Sequence, residues 1–354
     1  MIVWSDNQHS KVSVGYGYVP DRLYPYLEKS DLPIERRTPE TPEEFTDLFR
    51  VINLGYFSEI YGSDKILINH SMPEAFVKSS LYSIGFTYWE TNRLPDDWVK
   101  NCNKMDEVWT SSRFMQDVFV KSGVKVPVYG FNLGVDPALY SPLRRYAHNQ
   151  FTFLSMGSPS TRKNSQVSVD AFLKLFGGND EYRLIYKSNG APDARNYADG
   201  VMLGKLDHPQ IEIIDEELSH SDLAKIYDEA DCLLYPTSGE GWGIIPFQAI
   251  AKGIPTICTN ATACEEYAYM SVPLDYEWSQ DKMSGIYENA GFWAKPNFDD
   301  LCDKMLYVVN NYDKVSKKTF SSAEYINKNM TWEKVSKDYV DRLCQILKDT
   351  KAKH

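Results

Sequence analysis

Asp231-Cys232-Leu233-Leu234-Tyr235-Pro236-Thr237-Ser238-Gly239-Glu240-Gly241-Trp242-Gly243-Ile244-Ile245-Pro246-Phe247-Gln248-Ala249-Ile250-Ala251-Lys252-Gly253-Ile254-Pro255-Thr256-Ile257-Cys258 reads as a buried strand, a tight loop, a helix and a second buried strand. Asp231–Tyr235 has the near-continuous apolar character of a parallel strand covered on both faces. A helix is expected over Pro246–Lys252, stopped by Gly253, and Ile254–Cys258 resumes the sheet. Ligands of open α/β sheets bind outside the carboxyl ends of strands, where the Glu240 loop lies. Gly239, Gly241 and Gly243 let the backbone come close to a ligand. The helix behind them aims free N–H groups and its positive dipole end at the loop, which suits a phosphate. A carboxylate does not favour phosphate, so Glu240 is read as an acceptor for neutral hydroxyls such as those of a sugar. Gln248, eight residues after Glu240 and within the helix, is a second hydroxyl partner, and Trp242 is a candidate to stack on a sugar or base.

The same alternation extends in both directions. Towards the N-terminus, strands are expected at Ile2–Trp4, Val51–Leu54, Lys65–Asn69, Ser83–Tyr88, Glu107–Thr110 and Val126–Tyr129. Helices are expected near Arg22–Lys29, Trp98–Lys104 and Arg113–Ser122, the last with a serine cap and Gly123 as its stop. Gly15 and Gly17 read as a loop after the first strand, and Leu32–Glu44 as an exposed connection. A Gly/Pro-bearing stretch, Asn132–Pro137 followed by Ser141-Pro142, is the candidate domain boundary. Beyond it lie strand patterns at Phe151–Gly157, Tyr182–Tyr186 and Ile211–Ile214, and helix patterns at Asn164–Phe176 and Ser219–Ala230. Trp332–Leu347 carries Val335, Tyr339, Leu343 and Leu347 at helical spacing, and the Lys348–His354 end is expected to fray. Two alternating α/β series imply two Rossmann-like domains facing each other across a cleft.

The totals agree with this. A chain of 354 residues exceeds what one core usually supports. With 43% hydrophobic and 25% charged residues it is an ordinary globular composition. A formal net charge of -11 argues against general nucleic-acid binding. The six cysteines show no C-x-x-C pair or metal-ligand spacing and are read as buried free thiols. No signal-peptide pattern opens the chain, and no run approaches the roughly 18 apolar residues of a membrane span. The expected setting is cytoplasmic.

The Glu240 stretch resembles the donor-site signature of family-4-type retaining glycosyltransferases (glycosyl transferases group 1) of the GT-B fold. That pattern has a Glu, a Gly-aromatic-Gly, a Pro, a second acidic residue eight positions after the first, and then A-x-x-x-G-x-P-x-[IV]. Glu240, Gly241-Trp242-Gly243 and Pro246 match it, while Gln248 stands at the second acidic position. Met156-Gly157 with Arg162-Lys163-Asn164 resembles the family's basic pair for the donor diphosphate, although Ser158 replaces an Arg often found after the glycine. Asn132–Asp136 resembles the G-V-D segment at the interdomain passage, and Asp106–Ser112 its D-x-[IV]-x-x-x-S.

The resemblance implies three segments: an acceptor domain at residues 1–140, a nucleotide-sugar donor domain at residues 141–328, and residues 329–354 as a helix packing back on the first domain. It implies donor contacts at Gly15, Gly17, Arg162, Lys163, Glu240, Gly241, Trp242, Gly243 and Gln248. Glu90 and His70, each ending an apolar strand, are candidates to orient or deprotonate the acceptor hydroxyl. Lys187 is read as a surface lysine, with donor phosphate as the alternative. Asp96-Asp97 looks like a helix cap, and no D-x-D in the context of a metal-dependent transferase is seen. The implied reaction therefore needs no metal or other cofactor, with the leaving diphosphate met by Arg162, Lys163 and helix amides. The acceptor is not legible: glycan, lipid-linked sugar, protein, small molecule and modified nucleic-acid base all stay open. Two rival readings are another reaction on the same fold, a phosphorylase or nucleotide-sugar epimerase, and a sugar-nucleotide-binding protein without catalysis.

Overall fold

The structure, a computed structural model, describes residues 1–6, 15–37, 65–144, 150–188 and 206–352. It divides into two compact units. The first holds Met1–Trp89, Arg93–Gly134 and Trp332–His354, and the second Glu90–Asn92 with Val135–Thr331.

The first unit runs β1 (Ile2–Asp6), α1 (Gly15–Glu28), β2 (Ile34–Arg37), β3 (Ile66–His70), β4 (Tyr82–Phe86), α2 (Asp96–Cys102), β5 (Glu107–Thr110), α3 (Arg113–Ser122) and β6 (Val128–Gly130). Its described strands form one parallel sheet in the order β2-β1-β3-β4-β5-β6. Every residue of β3 and β5 is buried, as strands covered on both faces must be. Ser112 caps α3 by accepting the Met115 N–H, and Gly123 closes it at φ 109°, a conformation glycine adopts freely. The C-terminal helix, Trp332–Lys351, belongs to this unit and buries Trp332, Val335, Tyr339, Leu343 and Ile346. Ile346 takes the buried place expected for Leu347, and the helix continues as far as Lys351, into the lysine-rich end expected to fray. A repeat of 3.6 residues per turn brings position 346 back to the face that Tyr339 and Leu343 define.

Two expectations are corrected here. Gly15 and Gly17 lie in the first turn of α1 and not in a loop, and the helix contains Pro20 and Pro25. Those prolines argue locally against a helix, because each removes an N–H from the ladder, and packing overrides them. The expected connection after Leu32 contains β2, the outermost described strand on its side of the sheet. The strand expected at Val51–Leu54 lies outside the described residues.

The second unit runs α4 (Pro137–Tyr140), β7 (Phe151–Met156), α5 (Ser165–Phe176), β8 (Tyr182–Lys187), β9 (Ile211–Ile214), α6 (His220–Glu229), β10 (Cys232–Tyr235), α7 (Ile244–Ala251), β11 (Thr256–Thr259), β12 (Val272–Leu274), β13 (Tyr276–Ser279), β14 (Trp293–Pro296), α8 (Phe298–Asn310) and α9 (Tyr312–Asn329). A parallel sheet has the order β12-β11-β10-β7-β8-β9, and β13 pairs with β14 antiparallel beside it. Phe153, Phe172, Phe176, Leu184, Leu234, Ile257, Leu301 and Met305 pack in its core. Burying each such side chain stabilises by about 1.5–3 kcal/mol. All six cysteines are free thiols and five are buried. No described helix is long and apolar enough to cross a membrane.

Candidate functional site

The strand order of the second unit reverses between β7 and β10. Chains leaving neighbouring strand ends at such a point diverge and open a crevice, the usual ligand site of doubly wound sheets. The loop after β7 carries Arg162 and Lys163, and the loop after β10 carries Glu240. A backbone hydrogen bond from Ser238 N to Arg162 O, 2.7 Å, ties the two loops together. Asn164 adds to this: its amide donates to Pro236 O at 2.9 Å and Ser238 Oγ at 2.7 Å.

The side chains then converge on one atom, Oε1 of Glu240. Lys163 Nζ lies 2.6 Å from it, Arg162 Nη1 3.3 Å, the Tyr235 hydroxyl 3.0 Å and the Thr237 hydroxyl 2.9 Å. Lys163 Nζ also donates to the Tyr235 oxygen at 2.8 Å. Oε2 takes no hydrogen bond from a described residue, so one carboxylate oxygen stays open to a further donor. Glu240 is only 7% exposed, and its backbone N–H is held by Thr262 Oγ1 at 3.0 Å. Thr262 stands at φ 54° and Asn164 at φ 53°. A left-handed conformation is costly for a β-branched residue, and such strain collects at functional sites.

The charges are strongly coupled. Burial opposes ionisation of Glu240, but Lys163 and Arg162 outweigh it and pull the carboxyl from 4.5 down to about 2. Lys163 is also pushed below its ordinary value, because burial and the neighbouring guanidinium outweigh attraction to Glu240. Arg162 is held above its ordinary value: burial works against its charge, and the carboxylates of Glu240 and Glu90 are among the groups that win. An acid whose folded pKa is depressed adds stability that is complete above the unfolded value and is lost as pH falls through the folded one. Unfolding stability should therefore fall less steeply for Glu240→Gln than for the native chain between about pH 4.5 and about pH 2. Denaturant titrations across that range measure this, and parallel curves for the two proteins would contradict the pairing.

Glu90 joins this cluster as part of the second unit. Its Oε1 lies 3.9 Å from Arg162 Nη2, a Coulombic contact. Its carbonyl oxygen sits where a Cβ on Gly239 would come within 2.0 Å, so only glycine allows the two backbones to touch. Gly243 (φ 83°) precedes α7, whose N-terminus has no side-chain cap. Its first amides are thus available to an anion.

Trp242, Gln248, His70 and Lys187 are all buried. Trp242 is not an exposed stacking platform: its ring is buried against Phe247 and Tyr267, 5.2 and 5.4 Å between centroids. The left-handed turn at Gly243 directs that aromatic inwards, and its indole N–H has no hydrogen-bond partner among the described residues. Gln248 is buried in α7, with its amide oxygen 3.3 Å from the Tyr227 hydroxyl. His70, in the first unit, is buried among Trp4, Tyr16, Phe86 and Tyr88, with Nε2 2.8 Å from the Tyr88 hydroxyl. Lys187 is not a surface lysine: it is 4% exposed and donates to the carbonyls of Ser188 and Glu216.

Tyr235, Thr237, Thr262 and Tyr287 were not expected at the site. Tyr235 and Thr237 were within reach of sequence reasoning, since they end the strand that delivers Glu240. Thr262 and Tyr287 come from later segments that no local pattern connects to Glu240.

Residues 150–289 match the family described as glycosyl transferases group 1. A protein of Sulfolobus islandicus filamentous virus (isolate Iceland/Hveragerdi), provisionally named glycosyltransferase 45, is 21% identical over 247 residues, which cover 65% of this chain and 66% of that protein. Similar solved structures include sucrose-phosphate synthase from Thermosynechococcus elongatus, with TM-score 0.71, 12% identity and coverage of 98% of this chain and 99% of that one. Anabaena HepE in complex with UDP and glucose gives TM-score 0.65 and 12% identity over 97% of this chain and 99% of that one. The α,α-trehalose 6-phosphate synthase of Burkholderia multivorans gives 0.64 and 11% over 95% and 81%. The fold is that of the GT-B glycosyltransferases, and the chain is a glycosyltransferase whose residues 150–289 carry the match to group 1.

Proposed function

We propose that this glycosyltransferase is of the group 1 kind, takes its sugar from a nucleoside-diphosphate sugar and passes it to an acceptor hydroxyl with retention of configuration. The observation that carries the reading is the meeting of Arg162, Lys163 and Glu240 at the β7/β10 switch point, beside the uncapped N-terminus of α7. Two cations and a set of helix amides suit a diphosphate, and a carboxylate with one open oxygen suits sugar hydroxyls. HepE has been solved with UDP-glucose, which supports a UDP-sugar as the first donor to try.

As the bond from the anomeric carbon to the diphosphate oxygen breaks, its electron pair goes to the leaving group. Arg162, Lys163 and the α7 amides meet that charge, so the reading needs no metal ion. The acceptor oxygen bonds the anomeric carbon and gives up its proton, with Glu90 as the acceptor-side carboxylate. Gly15, Gly17, Trp242, Gly243 and Gln248 remain proposed donor contacts, and His70 a proposed acceptor-side group. The free thiols support a reducing, cytoplasmic setting.

Thermal melting with UDP, ADP, GDP and their glucose or mannose conjugates tests this. At least one should stabilise the protein, by about 2.7 kcal/mol at a hundred times its dissociation constant. Arg162→Ala should abolish the shift. A native chain that melts unchanged with every member of the panel would remove the donor assignment.

A further inference from the structure

The segment between β13 and β14 fastens itself to Glu90–Asn92 at each of the three residues. Tyr287 donates its hydroxyl to Glu90 Oε2 at 3.0 Å. Thr91 Oγ1 donates to Ala290 O at 2.6 Å. Asn92 and Phe292 exchange two bonds: Asn92 N to Phe292 O at 3.1 Å, and Phe292 N to Asn92 Oδ1 at 2.8 Å.

The backbone around Tyr287 is fixed as well. Its N–H donates to Ser284 O at 3.2 Å, and its carbonyl accepts from Ala290 N at 3.0 Å. Its ring stands 6.1 Å from that of Trp293, which is buried and bonded through its indole N–H to Asp281 O. A rigid ring thus presents one hydroxyl to one oxygen of Glu90, while Arg162 lies nearest the other oxygen. Held on both sides, the carboxylate has a defined direction. Reacting groups need such definition, since displacement by about 1 Å can lower a rate by about a hundredfold.

We propose that Tyr287 is a positioning residue for sugar transfer, its hydroxyl fixing the Glu90 carboxylate beside Arg162. The assignment rests on Glu90 having the acceptor-side role given above.

Tyr287→Phe keeps the ring and removes only the hydroxyl. Turnover is followed as release of nucleoside diphosphate from UDP-glucose, ADP-glucose and GDP-mannose, and UDP binding by calorimetry. We expect kcat to fall by about tenfold to a hundredfold, with donor KM, UDP affinity and melting temperature close to native. In a Glu90→Ala background the same substitution should cost nothing further, because the group it orients is gone. That loss of effect separates positioning from a general structural contribution, which would add in both backgrounds. Native turnover by Tyr287→Phe, or a decrease that adds in full to Glu90→Ala, would overturn the role of Tyr287 and leave the donor assignment standing. A native protein that neither binds UDP nor turns over any of the three sugars would remove both.

Discussion

Lys163→Ala should lower kcat by about a hundredfold to a thousandfold, the usual loss when one preorganised charge-stabilising donor is removed. Lys163 is the closest cation to Glu240, at 2.6 Å, and is held there by the Tyr235 hydroxyl as well. Its side chain is only 16% exposed, where electrostatic interactions are stronger than in water, so on the proposed reading the charge it would offer a departing diphosphate is worth more than at the surface. Arg162 remains in the variant but stands further from Glu240, at 3.3 Å, and is engaged with the Gly239 carbonyl and close to Glu90. Steady-state release of nucleoside diphosphate measures the effect, and turnover near the native rate would take Lys163 out of the site.

The second large effect concerns the first unit. Arg342→Ala should destabilise it by about 3–5 kcal/mol, the usual cost of leaving a buried charge without its partner. Glu107 is fully buried in β5. Arg342, on the C-terminal helix, donates through Nε to both carboxylate oxygens, at 3.2 and 3.1 Å, and through Nη2 to Oε2. The Trp109 indole at 2.6 Å and the Tyr82 hydroxyl at 2.9 Å complete the carboxylate's partners. The guanidinium also lies over the Tyr129 ring, 4.5 Å from its centre. With Arg342 removed, the helix keeps its apolar stripe but loses the ion pair to β5, and Glu107 is left in a low-dielectric interior without a counter-charge. Denaturant unfolding should show the loss. A double substitution of both partners to methionine should recover part of it, since no buried charge then remains. A native unfolding midpoint in Arg342→Ala would show the pair to be without weight.

How much of this was legible in the sequence depends on how local each signal is. The strand from Cys232 to Tyr235, the glycine loop and the helix that follows are written in neighbouring residues, as are the serine cap and glycine stop of α3. Glu240 was singled out by the glycine loop after its strand, and Arg162 and Lys163 by the resemblance of their stretch to a family motif. Sequence patterns missed α1 before Arg22, because Pro20 and Pro25 mask its helical character, and did not show that the Trp242 ring is buried. The β13–β14 pair and the helices α8 and α9 also went unread.

By itself, then, the sequence determined two alternating α/β series, the glycine-bearing loop around Glu240 and the charged residues that follow its strand ends. Tertiary structure alone decided that four donors share one oxygen of Glu240, that Glu90 joins the unit formed mainly by Val135–Thr331, and that Tyr287 holds it there. The reason lies in the crossover connections. Periodicity and turn chemistry act over a few residues, whereas the neighbours of β7 are set by helical crossovers and loops whose paths no local pattern records.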